Sequence, residues 1–134
     1  MGVSDGDTIT VLDQAKQQHR VRLAGIDAPE KGQPFGQRSK DNLSALVYGK
    51  EVEARCHKRD RYGRKVCAVF VGSRDVGLDQ VRAGMAWWYR EYAREQTSED
   101  RSAYQDAEGA ARVTQKGLWH DTQSRPPWEW RKAR

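Results

Sequence analysis

Apolar residues in this chain come in short runs, alternating with polar ones or stopped by glycine and proline. That pattern confines the fold to small strands and short helices around one core. Residues 8–12 (Thr-Ile-Thr-Val-Leu) predict a first strand, and residues 19–26 begin a second with polar–apolar alternation, a turn over 14–18 joining the two. Asp27-Ala28-Pro29-Glu30 ends that strand, because Pro29 has no N–H to give a ladder. Gly32, Pro34 and Gly36 extend the loop. A helix over 37–48 follows, with Leu43, Leu46 and Val47 on one face and Gly49 as its stop. Residues 51–56 and 66–71 read as two further strands around the turn Arg61-Tyr62-Gly63-Arg64, and 85–89 as a fifth. Between them, a brief helix over 76–83 turns Leu78 and Val81 inward. The longest helix spans 99–115, capped by Thr97 or Ser98, with Tyr104, Ala107, Ala111 and Leu118 on its inner stripe. The segment after Trp119 is expected to be irregular and to lie over the surface. Five short strands interrupted by helices place the chain in the α+β class, mainly β, as a small barrel of which the five-stranded OB-fold is one form.

Length and composition agree with a single domain over 1–134, with 120–134 as a Trp- and Arg-rich tail. A domain of 134 residues buries roughly two thirds of its unfolded surface without obligatory staples. Mean hydropathy is −0.98, yet 5 Trp, 5 Tyr and 2 Phe supply a core and argue against wholesale disorder. No apolar run nears the roughly 18 residues of a membrane helix. Met1-Gly2-Val3 leads straight into polar residues with no leader pattern, which says nothing of compartment.

Charge is concentrated. Residues 55–65 hold Arg55, Lys58, Arg59, Arg61, Arg64 and Lys65 against Asp60, a surplus equal to the net +5 of the whole chain. A second cluster lies at 125–134. Such clustering suits a polyanionic partner; a solvated hairpin and a loose basic tail are the alternative. Cys56 and Cys67 flank the basic segment, and across a hairpin they would approach the roughly 4.4–6.8 Å Cα spacing of a bridge. Two unrelated thiols are the other possibility; a bridge would indicate an oxidising compartment.

Asp5, Asp7, Asp27 and Glu30 all fall beside expected strand ends, where carboxylates from neighbouring strands can converge on one hard cation. Asp5-Gly6-Asp7 is also an ordinary turn sequence. Pro29 biases Ala28 toward an extended backbone that presents its carbonyl as a further oxygen ligand. Arg22 and Arg64 have the forked donors that match phosphate, although ion pairs with neighbouring acids, Asp60 for Arg64, serve equally well as their role. His19, His57 and His120 match no zinc spacing. Trp87-Trp88-Tyr89 reads as core before it reads as a base-stacking platform.

Three ordered segments carry a resemblance: Asp5-Gly6-Asp7-Thr8, then residues 22–30 (Arg-Leu-Ala-Gly-Ile-Asp-Ala-Pro-Glu), then Asp60-Arg61-Tyr62-Gly63-Arg64. Together with Val81-Arg82-Ala83-Gly84-Met85-Ala86, the chain from about residue 4 to 119 resembles the staphylococcal (thermonuclease-like) nuclease family. The resemblance implies a five-stranded OB-fold barrel with three helices, and calcium-dependent hydrolysis of DNA and RNA leaving 3′-phosphate and 5′-hydroxyl ends. It implies that Asp7 and Asp27 bind Ca2+ through carboxylates and Ala28 through its carbonyl, with Asp5 supporting them from behind. Glu30 would act on the attacking water, Arg22 and Arg64 would grip the scissile phosphate, and Tyr62 would contact a phosphate. Single-stranded substrates, a monomer without an obligate protein partner or membrane, and a secreted or periplasmic location complete the expectation. Ala28 stands where the best-known member has Thr, the loop at 31–35 is shorter, 87–90 is more aromatic, and little of the first strand precedes Asp5. A non-catalytic OB-fold module for nucleic acid and a protein-interaction domain are the two rival readings.

Overall fold

The computed structural model describes residues 2–133. Eight strands are seen where five were expected: β1 (Gly2–Asp5), β2 (Thr8–Leu12), β3 (Gln18–Leu23), β4 (Ile26–Asp27), β5 (Glu53–Arg59), β6 (Lys65–Val71), β7 (Arg74–Asp75) and β8 (Trp87–Trp88). The helices are α1 (Gly36–Val47), α2 (Val76–Arg82), α3 (Ser98–Val113) and a short α4 (Pro127–Lys132), with 3-10 turns at Arg90–Glu95 and Gly117–His120.

The main sheet runs β1-β2-β3-β6-β5, with β7 added to β6. β2 and β3 pair antiparallel with Thr8 opposite Arg22, and β3 lies parallel to β6 with Arg22 opposite Val66. The strand expected over 19–26 is cut at Gly25, whose φ of 80° is a left-handed conformation that a side chain would strain. Its second half leaves the main sheet, and Ile26–Asp27 pairs instead with Trp87–Trp88 as a separate two-stranded sheet. Five strands follow one path in the main sheet, but among the described residues no ladder joins β1 to β5 to close a ring. A mixed α/β fold with a mainly sheet core remains.

That core joins Ile9, Val21, Leu23, Ile26, Cys67 and Val69 from the strands to Leu43 and Val47 of α1, Val76 and Val81 of α2, and Tyr104 and Ala107 of α3. Tyr104, Ala107, Ala111 and Leu118 are all buried, as the inner stripe predicts. Thr97 caps α3 by accepting the Asp100 N–H. Trp87 and Trp88 are 6% and 7% exposed and serve as core, whereas Tyr89, the third residue of the aromatic run, is half-buried. β5 is exposed along its whole length, a basic edge strand. Cys56 lies opposite Cys67 on β6, and the two are joined by a disulfide.

Candidate active site

The acidic wall begins at the β1–β2 turn. Gly6 has no room for a Cβ, which would overlap Ser39 Oγ and press on Ala28 Cβ, so the turn packs directly onto α1 and the Asp27–Pro29 segment. Gln80, fully buried on α2, donates to Gly6 O at 2.8 Å and Ser39 O at 3.1 Å and fixes the turn from below. Asp7 faces inward: Oδ1 accepts from Thr8 Oγ1 at 3.0 Å, and Oδ2 accepts the Ala28 N–H at 2.9 Å. This last bond joins the two acidic segments, 21 residues apart. Asp5 stands behind, with Oδ1 accepting the Asp7 N–H at 3.2 Å.

Arg22 lies between the acids. Its Nη1 donates to Leu23 O at 2.8 Å and sits 3.5 Å from Asp7 Oδ2, while Nη2 is 3.4 Å from Asp27 Oδ1. Burial opposes the charge on Asp7, but Arg22 and the hydrogen bonds to its carboxylate hold its proton affinity below the ordinary range. Burial and the charge of Asp7 push Asp5 the other way. Asp27, its side chain 1% exposed, is pushed by burial up to about 6 despite the guanidiniums of Arg131 and Arg22.

Arg64 approaches from the β5–β6 turn. The Asp60 carboxylate accepts the N–H groups of Tyr62 and Arg64 at 2.9 and 3.0 Å, shaping the turn, and accepts Arg64 Nε at 2.7 Å. The ion pair expected with Asp60 is present, and Nη1 in addition donates to Thr8 Oγ1 at 3.0 Å. Tyr62 is 62% exposed beneath Arg61 and Arg64, which sit 5.1 and 5.5 Å from its ring centre. Glu30 hangs in the loop beyond Pro29, its N–H donating to Gln33 Oε1 at 3.0 Å.

One groove of about 1180 Å3 takes in Asp5, Asp7, Arg22, Asp27, Ala28, Glu30, Tyr62 and Arg64. The basic stretch 57–61 forms one bank, and Tyr89, Tyr92 and Trp128 another. Every site residue named from the sequence, apart from the cysteines, is therefore gathered in one place. Four contributors were not foreseen: the Thr8 hydroxyl, Gln33, Gln80 and Arg131. The tail expected to lie irregularly over the surface instead forms α4, and Arg131 Nη2 meets Asp27 Oδ2 at 2.7 Å while Nη1 meets Glu30 Oε1 at 2.7 Å. Pro127 at the first helical position was the available signal for α4.

A hard cation fits this donor set. Asp7 and Asp27 offer carboxylate oxygens, the kind calcium takes, and Asp27 already holds a guanidinium as a stand-in cation. Among the described residues no three His, Cys, Asp or Glu side chains are gathered into a metal cluster. A cation here would draw on the two carboxylates and the Ala28 carbonyl, and otherwise on water or phosphate oxygens.

Buried acids and fixed guanidiniums thus share one groove with basic and aromatic side chains. A family model described as "Staphylococcal nuclease homologue" matches residues 20–121, and the chain belongs to that family. It is 41% identical over 130 residues to a Haemophilus influenzae protein named "Uncharacterized endonuclease", covering 97% of this chain and 70% of that one. It is 39% identical over 140 residues to a Shigella flexneri "Micrococcal nuclease", covering 98% and 78% respectively. A staphylococcal-like nuclease of Arabidopsis thaliana is 35% identical over 113 residues, spanning 84% of this chain and 33% of the plant protein.

Proposed function

We propose that this protein is a calcium-dependent nuclease that hydrolyses DNA and RNA to 3′-phosphate and 5′-hydroxyl ends. The observation that carries the reading is the position of Arg22, held between Asp7 and Asp27 on the same groove that Arg64 lines. Two guanidiniums so fixed match a phosphodiester and oppose the charge that grows on its equatorial oxygens during attack. Asp7, Asp27 and the Ala28 carbonyl are assigned to the cation, with Asp5 setting Asp7 in place. When bound, calcium supplies Lewis-acid neutralisation of the phosphate and an ordered water. Glu30 accepts or directs a proton of the attacking water. The water oxygen bonds to phosphorus, the P–O5′ bond breaks, and the 5′-oxygen leaves and takes up a proton. Tyr62, exposed beside Arg64, is assigned to a neighbouring phosphate.

Single-stranded chains suit a groove that carries the exposed ring of Tyr62 and the half-buried rings of Tyr89, Tyr92 and Trp128, on which unpaired bases can stack. A monomer suffices for every residue assigned. The Cys56–Cys67 bridge supports an oxidising, secreted or periplasmic location.

A binding module without catalysis is the second reading, and one observation favours it: Arg131 neutralises both Asp27 and Glu30. Turnover separates the two. Arg22→Ala, Arg64→Ala and Glu30→Gln are each expected to lower hydrolysis at least about tenfold in folded protein. Unchanged rates in the three variants would contradict the assignment, and absence of hydrolysis in the unaltered protein would favour the module.

A further inference from the structure

One strong cation–carboxylate contact inside the groove, from the C-terminal helix, is left unexplained by phosphodiester chemistry. Arg131, 104 residues from Asp27 in sequence, spans both oxygens of that carboxylate, Nη2 to Oδ2 at 2.7 Å and Nη1 to Oδ1 at 3.2 Å. The same Nη1 meets Glu30 Oε1 at 2.7 Å. A forked, bidentate grip of this kind is the strongest a guanidinium makes. With Arg22 Nη2 at 3.4 Å as well, each Asp27 oxygen already accepts from a guanidinium, and a cation that takes this carboxylate competes with one of them. Arg22 is the poor candidate for displacement, because its side chain is 12% exposed and tied to Leu23 O. Arg131 is 40% exposed and sits near the end of its helix, with solvent to move into.

We propose that Arg131 is a built-in competitor for the catalytic cation: it holds Asp27 and Glu30 in the metal-free protein and gives them up when calcium binds. The helix that carries it is anchored without using the acids. Gln33 Nε2 donates to Arg125 O at 2.8 Å, Pro127 is buried, and Trp128 stacks on Tyr89 with ring centres 5.1 Å apart and planes 2° from parallel. Trp128 also meets Trp87 edge-on at 5.6 Å. These contacts hold the root of α4 in place whether or not Arg131 is paired. The guanidinium therefore remains tethered beside the site and returns when the cation leaves, at a high effective concentration. Two consequences follow for the metal-free protein. Its buried acids are neutralised, so the site does not depend on calcium to stay folded, and calcium binds more weakly than the carboxylates alone would allow.

This inference rests on the reading of Asp27 as a cation ligand, and calorimetric titration of the whole chain with calcium chloride, without substrate, separates the two. Arg131→Ala is expected to bind calcium about fivefold to tenfold more tightly than the unaltered protein. Its melting temperature in chelator is expected to fall, with most of the loss recovered in saturating calcium. Arg131→Lys keeps the charge but not the fork and is expected to lie between the two. Equal or weaker calcium affinity in Arg131→Ala would overturn the competitor role while leaving the nuclease reading intact. Calcium binding that survives Asp27→Asn unchanged, or that is absent from both the unaltered protein and Arg131→Ala, would overturn the ligand assignment and this inference with it.

Discussion

Arg64 is hydrogen-bonded to Thr8: its Nη1 donates to Thr8 Oγ1 at 3.0 Å, and the same hydroxyl donates to Asp7 Oδ1 at 3.0 Å. One buried hydroxyl thus couples the arginine of the β5–β6 turn to the carboxylate of the β1–β2 turn. Thr8 is 1% exposed, so neither partner can replace it with water without rearrangement.

Thr8→Val removes that coupling while keeping shape. It leaves a buried acceptor on Asp7 with one bond fewer, and is expected to cost about 1–3 kcal/mol of stability and to lower turnover, with Thr8→Ser restoring most of both. Urea unfolding and hydrolysis rates on the three proteins check this. A fully active Thr8→Val would mean that Arg64 is positioned by Asp60 alone.

The bridge between Cys56 and Cys67 closes a loop of sequence separation 11 and ties down a strand with no buried side chain. Reduction, or Cys56→Ser with Cys67→Ser, is expected to destabilise the fold by about 3 kcal/mol. Hydrogen exchange is expected to show the loss first in β5, an edge strand whose one ladder is to β6 and whose other ties are exposed ion pairs such as Lys58–Glu95. Uniform loss of protection across the whole sheet would mean that β5 does not open separately.

Arg59 and Arg61 stand on the basic bank of the groove with no carboxylate partner among the described ion pairs, whereas Lys58 pairs with Glu95 at 2.8 Å. Substituting both arginines by Ala is expected to weaken binding to single-stranded DNA and to flatten its log–log salt dependence by about 1.4, two phosphates' worth. Fluorescence anisotropy across a salt series reads that slope. An unchanged slope would remove residues 59–61 from the substrate path.

The parts of this molecule that depend on local pattern were legible from the sequence. Residues 8–12 form β2 as expected, and the Tyr104, Ala107, Ala111 stripe of α3 is buried, because periodicity alone decides such faces. The three acidic and basic segments could be assigned together because their resemblance covers separated positions at once. What escaped notice depends on long-range contact. Gly25 splits a strand whose second half has its partner at Trp87–Trp88, some sixty residues on; the alternation lapses after Leu23, but nothing local names the distant partner. Arg131 was one basic residue among several in a tail with two prolines; only folding brings it to Asp27. Gln80 and Thr8 looked like ordinary helix and strand residues because their roles lie in single hydrogen bonds to distant partners.

The central claim is cation-assisted hydrolysis at Asp7, Asp27, Glu30, Arg22 and Arg64. Its most direct test is hydrolysis of heat-denatured DNA with calcium, with magnesium and with chelator, followed by analysis of the new ends. The account predicts cleavage with calcium, little with magnesium, none with chelator, and fragments ending in 3′-phosphate and 5′-hydroxyl. Equal cleavage in chelator, or DNA binding without cleavage under all three conditions, would contradict it.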